Sequence, residues 1–184
     1  MRIGVFFGEH FEEVEALTTV DFLRRAGHDV ECVSIGHSHH VGGSHGIIIK
    51  TDFVIDEVWL KTYGMLVLPG GSGHKNLEKC NLLMKYVKKF NEEGKFLAAI
   101  CAAPSILGRA GVLEGKRVTC FPGFEDQCIG ATVTGEEAVW DGNIITGRSA
   151  GAATAFALKI IEAIDGKEKA EEMAKQIVYD HLKL

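Results

Sequence analysis

Short apolar runs alternate with amphipathic stretches along this chain, and the alternation predicts a layered α/β protein. The runs at residues 65–68 and 96–100 are apolar at every position, which is typical of strands buried on both faces of a parallel sheet. Strands are predicted at residues 2–7, 30–35, 46–54 (an extended pair), 65–68, 96–100, 117–121 and 139–146. Helices are predicted at residues 12–26, 76–91, 102–110, 150–164 and 167–181.

Strands and helices in this order favour a single α/β domain over residues 1–184, with a mostly parallel central sheet between two helical layers. The site of such a fold lies at the carboxyl ends of its strands. We therefore expect chemistry where three predicted strands end, at residues 7–8, at residues 69–71 and at Cys101.

Composition and charge exclude several classes of protein. Of the 184 residues, 46% are hydrophobic, so the chain is too apolar to be mainly disordered. With 20 Lys+Arg against 25 Asp+Glu, its net charge of −5 argues against a nucleic-acid partner. Its apolar runs are too short for a membrane span or a signal-peptide core. Five cysteines without a C-x-x-C pair predict a reducing, cytoplasmic setting rather than a disulfide framework.

Cys101 stands where a buried strand turns directly into a helix. Small residues flank it in the run Ala-Ile-Cys-Ala-Ala, as the crowded turn of a nucleophile elbow requires. The start of the following helix carries partial positive charge, which favours a thiolate. An inert buried cysteine is the alternative, and the elbow pattern favours a reactive thiol over it.

Two other features surround this cysteine. Glycines follow the strand at residues 65–68, and the N–H groups of Gly71 and Ala102 are predicted to form an oxyanion hole; a plain tight turn is the alternative. Glu15 lies one turn into the first helix, beside its apolar stripe. If Glu15 is desolvated there, its pKa rises and it can donate a proton to a thiolate.

Five segments in order resemble the ThiJ/PfpI superfamily, and within it the branch of the parkinsonism-associated deglycase (DJ-one) and its YajL-type bacterial relatives. The likeness runs essentially from end to end. The segments are Glu-Glu-Val-Glu-Ala (12–16), Val-Asp-Phe-Leu-Arg-Arg-Ala-Gly (20–27), Val-Leu-Pro-Gly-Gly (67–71), Ala-Ile-Cys-Ala-Ala-Pro (99–104) and Thr-Gly-Arg-Ser-Ala-Gly (146–151).

The resemblance implies a flavodoxin-like sandwich that forms a homodimer. It implies that Cys101 is the nucleophile, that Glu15 is its protonated partner, and that Gly71 and Ala102 supply the oxyanion N–H groups. Members of the family are described as methylglyoxal-converting enzymes, as deglycases of glycated thiols and amines, as oxidative-stress sensors and as chaperones.

One position departs from the parkinsonism-associated branch. Phe121 stands where that branch has a histidine. YajL-type relatives also have Phe at this position. Phe cannot move protons, so the transfers fall to Glu15, a water or another histidine. His10 and His74 are candidates by position, and solvated loop histidines are the alternative. The PfpI peptidase branch has His directly after its nucleophile, so Ala102 argues against peptidase chemistry.

Four further residues are candidates for the site or its surroundings. The resemblance brings His45, in a histidine-rich loop where we predict no metal site, near the pocket of a dimer partner. Arg148 either binds an anion or caps a helix. Cys120 and Cys128 are either resolving thiols for Cys101 or inert buried thiols, and the second interpretation is favoured.

The favoured function is a stress-protective enzyme that converts methylglyoxal or glyoxal, or removes their early adducts from thiols and amines, with no metal or cofactor. Its partners are then small carbonyl compounds or glycated thiols and amines. A cysteine-based redox sensor or redox-regulated chaperone is the alternative, since a reactive thiol oxidises readily. A hydrolase of small amides or esters is the third hypothesis.

Overall fold

The computed structural model describes residues 1–179. The strands are β1 (Arg2–Phe7), β2 (Asp29–Ser34), β3 (His40–Gly42), β4 (Ile48–Lys50), β5 (Phe53–Val54), β6 (Met65–Leu68), β7 (Phe96–Ile100), β8 (Arg117–Val118), β9 (Thr132–Val133), β10 (Ala138–Asp141) and β11 (Ile144–Gly147). The helices are α1 (Glu13–Arg25), α2 (His74–Lys79), α3 (Asn81–Glu92), α4 (Pro104–Arg109), α5 (Ala153–Asp165) and α6 (Lys167–Gln176).

A seven-stranded sheet in the order β10-β11-β7-β6-β1-β2-β5 forms the centre of the molecule. Its neighbouring strands are parallel, except that β10 runs antiparallel to β11. Two small ladders, β3 with β4 and β8 with β9, lie outside it. The predicted α/β class with a mostly parallel, flavodoxin-like sheet is confirmed.

Side chains of the central strands alternate between two apolar layers, because successive residues of a strand point to opposite faces. In β1, Ile3 and Val5 pack with residues of α1, α5 and α6. Phe6 packs on the other face with residues of α2, α3 and α4. Each fully buried side chain of this kind contributes about 1.5–3 kcal/mol, so the two layers hold the carboxyl ends of the strands rigidly.

The helix predicted at residues 76–91 is two helices, α2 and α3, which meet at Cys80. Cys80 has an extended backbone with φ −77° and ψ 95°. Leu77 and Leu83 are both buried against the sheet, but six residues of unbroken helix would place them about 120° apart around the helix axis. The break at Cys80 lets both leucines face the core.

The strand predicted at residues 139–146 is a hairpin. Gly142, with φ 63°, turns the chain between β10 and β11. The strand predicted at residues 117–121 is only β8, outside the central sheet, because Thr119 instead donates its N–H to Oγ1 of Thr146 at 2.9 Å.

Other boundaries differ by less. The extended pair at residues 46–54 is β4 and β5, of which only β5 joins the central sheet. The helices predicted to begin at residues 102 and 150 begin as α4 and α5 a few residues later. The last predicted helix is α6, and its predicted end at residues 180–181 lies outside the described residues.

Candidate active site

Cys101 occupies a sharp turn between β7 and α4. Its φ is 66°, a left-handed backbone that residues with a side chain rarely adopt. Its N–H donates to the carbonyl of Gly147 at 2.9 Å, so the neighbouring strand holds the turn. Ala102 and Ala103 are buried beside it, and Pro104 begins the helix. The structure thus has the elbow geometry that the sequence predicts, with the thiol partly exposed.

Glu15 reaches this elbow from the first turn of α1. It is 1% exposed, and its Oε2 accepts the N–H of Gly70 at 2.9 Å. Its Oε1 is buried and has no hydrogen-bond partner within residues 1–179. A Cβ atom at Gly70 would lie 2.5 Å from Oε2 of Glu15 and 2.6 Å from Cβ of Cys101. The missing side chain at Gly70 is therefore what lets the carboxyl and the cysteine approach each other.

Burial raises the pKa of Glu15 to about 7, against lowering by the Cys101 thiol and the Gly70 N–H. This confirms the predicted desolvation of Glu15. The pKa of Cys101 is raised to about 12, first by burial and then by the Glu15 charge. Burial and the Glu15 charge therefore act against a Cys101 thiolate, whereas the N–H groups of Gly71 and Ala102 favour it.

Two backbone N–H groups face the sulfur of Cys101. Those of Gly71 and Ala102 both lower the pKa of Cys101, and neither donates to a backbone carbonyl within residues 1–179. Gly71 has φ 78°, and a Cβ there would lie 2.6 Å from the carbonyl oxygen of His10. Glycine is therefore required for this loop to pack on the chain before α1. The two N–H groups are placed as donors for an oxygen that becomes negative near Cys101.

The predicted histidines take different places. The ring of His10 is exposed, while its carbonyl accepts the N–H of Gly73 at 2.9 Å, so its backbone supports the glycine loop. His74 is buried, and its Nδ1 hydrogen bonds to the carbonyl of Gly71 at 2.8 Å. Burial lowers the pKa of His74. His74 therefore supports the oxyanion loop through the Gly71 carbonyl.

His45 lies beside the start of α1. Its Nδ1 is 3.0 Å from Oε2 of Glu13 and 3.5 Å from Oε1 of Glu12. The hydrogen bond to Glu13 raises the pKa of His45. Burial alone would raise the pKa of Glu13, but His45 and backbone N–H groups lower it overall. The contacts of His45 with Glu12 and Glu13 attach the loop before β4 to the start of α1.

Phe121 and Arg148 were predicted near the pocket. Phe121 is 43% exposed, and its N–H donates to the carbonyl of Cys101 at 2.8 Å, so it does border the elbow. The side chain of Arg148 is exposed, and its N–H donates to the carbonyl of Glu137 at 2.9 Å. The structure therefore assigns Arg148 no contact with Cys101.

Two residues that the sequence did not single out help to build the site. Phe124 contacts both Phe121 and His74 edge-on, with ring centroids 6.4 and 5.6 Å away. Gly70 lies between Glu15 and Cys101 and, having no side chain, leaves them room to approach each other. A pair of glycines after a buried strand was the available signal for Gly70, whereas nothing local distinguishes Phe124 from a core residue.

Comparisons with known proteins agree on one family. The model of the DJ-1/PfpI family matches residues 1–163. The chain is 36% identical over 170 residues to protein DJ-1 homolog B of Arabidopsis thaliana, which is 91% of this chain but 39% of that protein. The chain thus spans about two fifths of that relative's length. None of the helices within residues 1–179 has the length and apolar character that crossing a bilayer requires.

Relatives of similar length carry enzyme names. The chain is 35% identical over 153 residues to a deglycase of Pyrococcus abyssi, covering 82% of this chain and 92% of the relative. It is 31% identical over 172 residues to a glutathione-independent glyoxalase of Caenorhabditis elegans, covering 92% and 91%. The solved structure of oxidized Toxoplasma gondii DJ-1 superposes with a TM-score of 0.92 at 33% identity, covering 98% of this chain and 99% of that one. The chain belongs to the DJ-1/PfpI family.

Proposed function

We propose that this protein is a stress-protective enzyme of the cell interior that converts small 2-oxoaldehydes such as methylglyoxal, or removes their early adducts from thiols and amines. The observation that carries the proposal is the desolvated Glu15 carboxyl facing the Cys101 thiol across Gly70. The names of the deglycase and glyoxalase relatives support the same class of substrate.

The placement of the carboxyl beside the thiol suggests how the reaction begins. The Glu15 carboxylate, held beside Cys101 at Gly70, takes the thiol proton while the sulfur bonds to the aldehyde carbon. The carbonyl oxygen becomes negative and is stabilised by the N–H groups of Gly71 and Ala102. Return of the proton from Glu15 to this oxygen gives a hemithioacetal.

Glu15 also serves the second half of the reaction. Its carboxylate removes the proton from the former aldehyde carbon and delivers it to the adjacent carbon. The hydroxyl proton of the hemithioacetal moves to the neighbouring carbonyl oxygen, and the product is a thioester of a 2-hydroxy acid. Water then cleaves the thioester, and the hydroxy acid leaves with the Cys101 thiol restored. Phe121 and the exposed His10 ring take no part in these transfers.

Turnover of methylglyoxal to lactate, measured with metal-free protein in buffer without thiols, tests the proposal. We expect Cys101→Ser to abolish turnover and Glu15→Gln to reduce it by about 10²–10⁴-fold, the typical contribution of a positioned acid–base group. Cys80→Ser, at the junction of α2 and α3, is the matched control and should turn over normally. Full activity of Glu15→Gln would exclude the proton transfers described here. A wild-type protein without turnover would exclude the enzyme.

We also propose a homodimer and a single domain over residues 1–184. Three apolar side chains near the start of α1 and in the β3–β4 hairpin are exposed, namely Val14 at 45%, Ile47 at 52% and Ile48 at 70%. A second copy covering them would bury an apolar surface that is otherwise costly in water. Sedimentation equilibrium showing only the monomer mass would contradict the dimer.

A further inference from the structure

Two buried thiols lie behind the elbow and take no part in the proposed reaction. Cys120 and Cys128 are 3% and 2% exposed, and both are free thiols in the apolar layer that also contains Ala103 and Leu107 beside the elbow. We propose that Cys120 and Cys128 form a resolving dithiol, which reduces a peroxide-oxidised Cys101 and ends as a Cys120–Cys128 disulfide. The proposal uses the Cys101 thiol but does not depend on its turnover of carbonyl compounds.

Cys120 is held next to the elbow by the backbone. The hydrogen bond from the N–H of Phe121 to the carbonyl of Cys101, 2.8 Å long, fixes the chain one residue after Cys120 against the turn. The N–H of Thr119, one residue before it, is fixed to Thr146 at 2.9 Å. Cys120 therefore lies between two anchored backbone positions, directly beside the elbow.

Cys128 approaches from the loop that returns over α4. A Cβ at Gly108 of α4 would lie 2.7 Å from Cα of Cys128, so only glycine lets this loop lie directly on the elbow helix. The two thiols interact, and hydrogen bonding between them is the largest cause of the pKa shift of each. It raises the pKa of Cys120 and lowers that of Cys128.

Exposure and proximity set the order of the steps. A peroxide reaches the partly exposed Cys101 first; it is reduced to an alcohol or water as the thiol becomes a sulfenic acid. The Cys120 sulfur attacks the Cys101 sulfur, and the sulfenic hydroxyl leaves with the Cys120 proton as water. The Cys128 sulfur then attacks the Cys120 sulfur, and Cys101 leaves as a thiol that carries the Cys128 proton.

Peptide mapping after one molar equivalent of hydrogen peroxide tests the dithiol directly. Trypsin cuts after Arg117 and Arg148, so both cysteines fall on one peptide, which loses two hydrogen atoms in mass when the disulfide forms. A protease specific for Glu cuts after Glu125, between the cysteines, and leaves the two halves joined until they are reduced. Free thiols are blocked with N-ethylmaleimide in denaturant before digestion.

Variants separate the steps. We expect no disulfide in Cys101→Ser, a trapped Cys101–Cys120 disulfide in Cys128→Ser, and several-fold more sulfinic acid at Cys101 in Cys120→Ser. Cys80→Ser is the control and should match the wild type. The wild-type map needs no variant, so a substitution that prevents folding leaves the test intact.

Two results would overturn the inference: a wild-type peptide that keeps both hydrogen atoms while Cys101 is oxidised, or a disulfide that forms equally in Cys101→Ser. A protein that forms the disulfide but does not convert methylglyoxal would remove the proposed function and leave this inference standing.

Discussion

Two buried carboxyl groups lie near opposite ends of the central sheet and are partnered in opposite ways. Glu31, near the amino ends of the parallel strands, accepts hydrogen bonds from Nε of Arg2 at 2.9 Å and from the hydroxyl of Tyr63. Glu15, at the carboxyl ends, accepts one N–H from Gly70 and leaves Oε1 without a partner within residues 1–179. Both side chains are buried, so the number of donors is what distinguishes them.

The difference in hydrogen-bond donors makes Glu31 a structural contact and Glu15 a group suited to proton transfer. A buried carboxylate with donors on both oxygens is stabilised where it lies, and Glu31 thereby ties the first two strands to Tyr63. A buried carboxylate with one weakly supported oxygen is costly to ionise, which is why burial raises the pKa of Glu15 to about 7. The carboxyl that is costly to ionise thus lies where the proposed reaction transfers a proton.

The largest expected effect is on how stability depends on pH. Because the pKa of Glu15 rises from 4.5 to about 7 on folding, the native state binds more protons than the unfolded chain between these values. The free energy of unfolding therefore falls as pH rises through this window, by about 3 kcal/mol. Glu15→Gln should remove that fall.

Urea unfolding between about pH 4 and about pH 8 measures this effect. Glu92→Gln, an exposed change on α3, is the control and should keep the wild-type slope. Parallel curves for the wild type and Glu15→Gln would show that Glu15 is not desolvated.

Gly70→Ala tests the contact between the carboxyl and the thiol. The new methyl group would lie 2.5 Å from Oε2 of Glu15 and 2.6 Å from Cβ of Cys101, so one of them must move. We expect a loss of about 10²-fold in kcat/KM for methylglyoxal, the typical cost of a displacement of about 1 Å at a reacting centre.

Gly36→Ala is the matched control, because a Cβ there meets Oγ of Ser34 at an ordinary 3.7 Å. Equal turnover in both variants would show that the carboxyl and the thiol need not be in contact.

Glu31→Gln should have the smallest effect, and it should lower stability rather than turnover. It removes the charged partner of Arg2 and puts an amide N–H toward a donor. We expect about 2 kcal/mol less stability, within the range for hydrogen bonds to charged groups, and unchanged turnover. Thermal unfolding and the lactate assay measure the two effects. If turnover falls but stability does not, the contrast between the two carboxyl groups is incorrect.

Features that depend on adjacent residues could be predicted from the sequence. The elbow follows from Cys101 between alanines and before Pro104, and the parallel sheet follows from wholly apolar strands. Asp-Gly-Asn at residues 141–143 is a turn signal of the same local kind, and reading it would have divided the predicted strand into its hairpin.

Features that depend on distant segments could not be predicted. The break at Cys80 arises because Leu77 and Leu83 must face one sheet, which is a tertiary demand. The raised pKa of Cys101 depends on how fully α1 and the glycine loop exclude water, and no spacing in the sequence reports that. The presence of Cys120 and Cys128 in one apolar layer depends on a loop that returns over α4.

The left-handed backbone of Cys101 makes this position a compromise between robustness and reactivity. Glycine adopts a φ of 66° without strain, so a chain selected for stability alone would carry glycine at this turn. Cysteine at this turn costs stability but places a partly exposed sulfur at the carboxyl ends of the strands. Serine and alanine share the backbone strain of cysteine, so they report on the missing sulfur alone, whereas a glycine variant would mix lost chemistry with a relaxed turn.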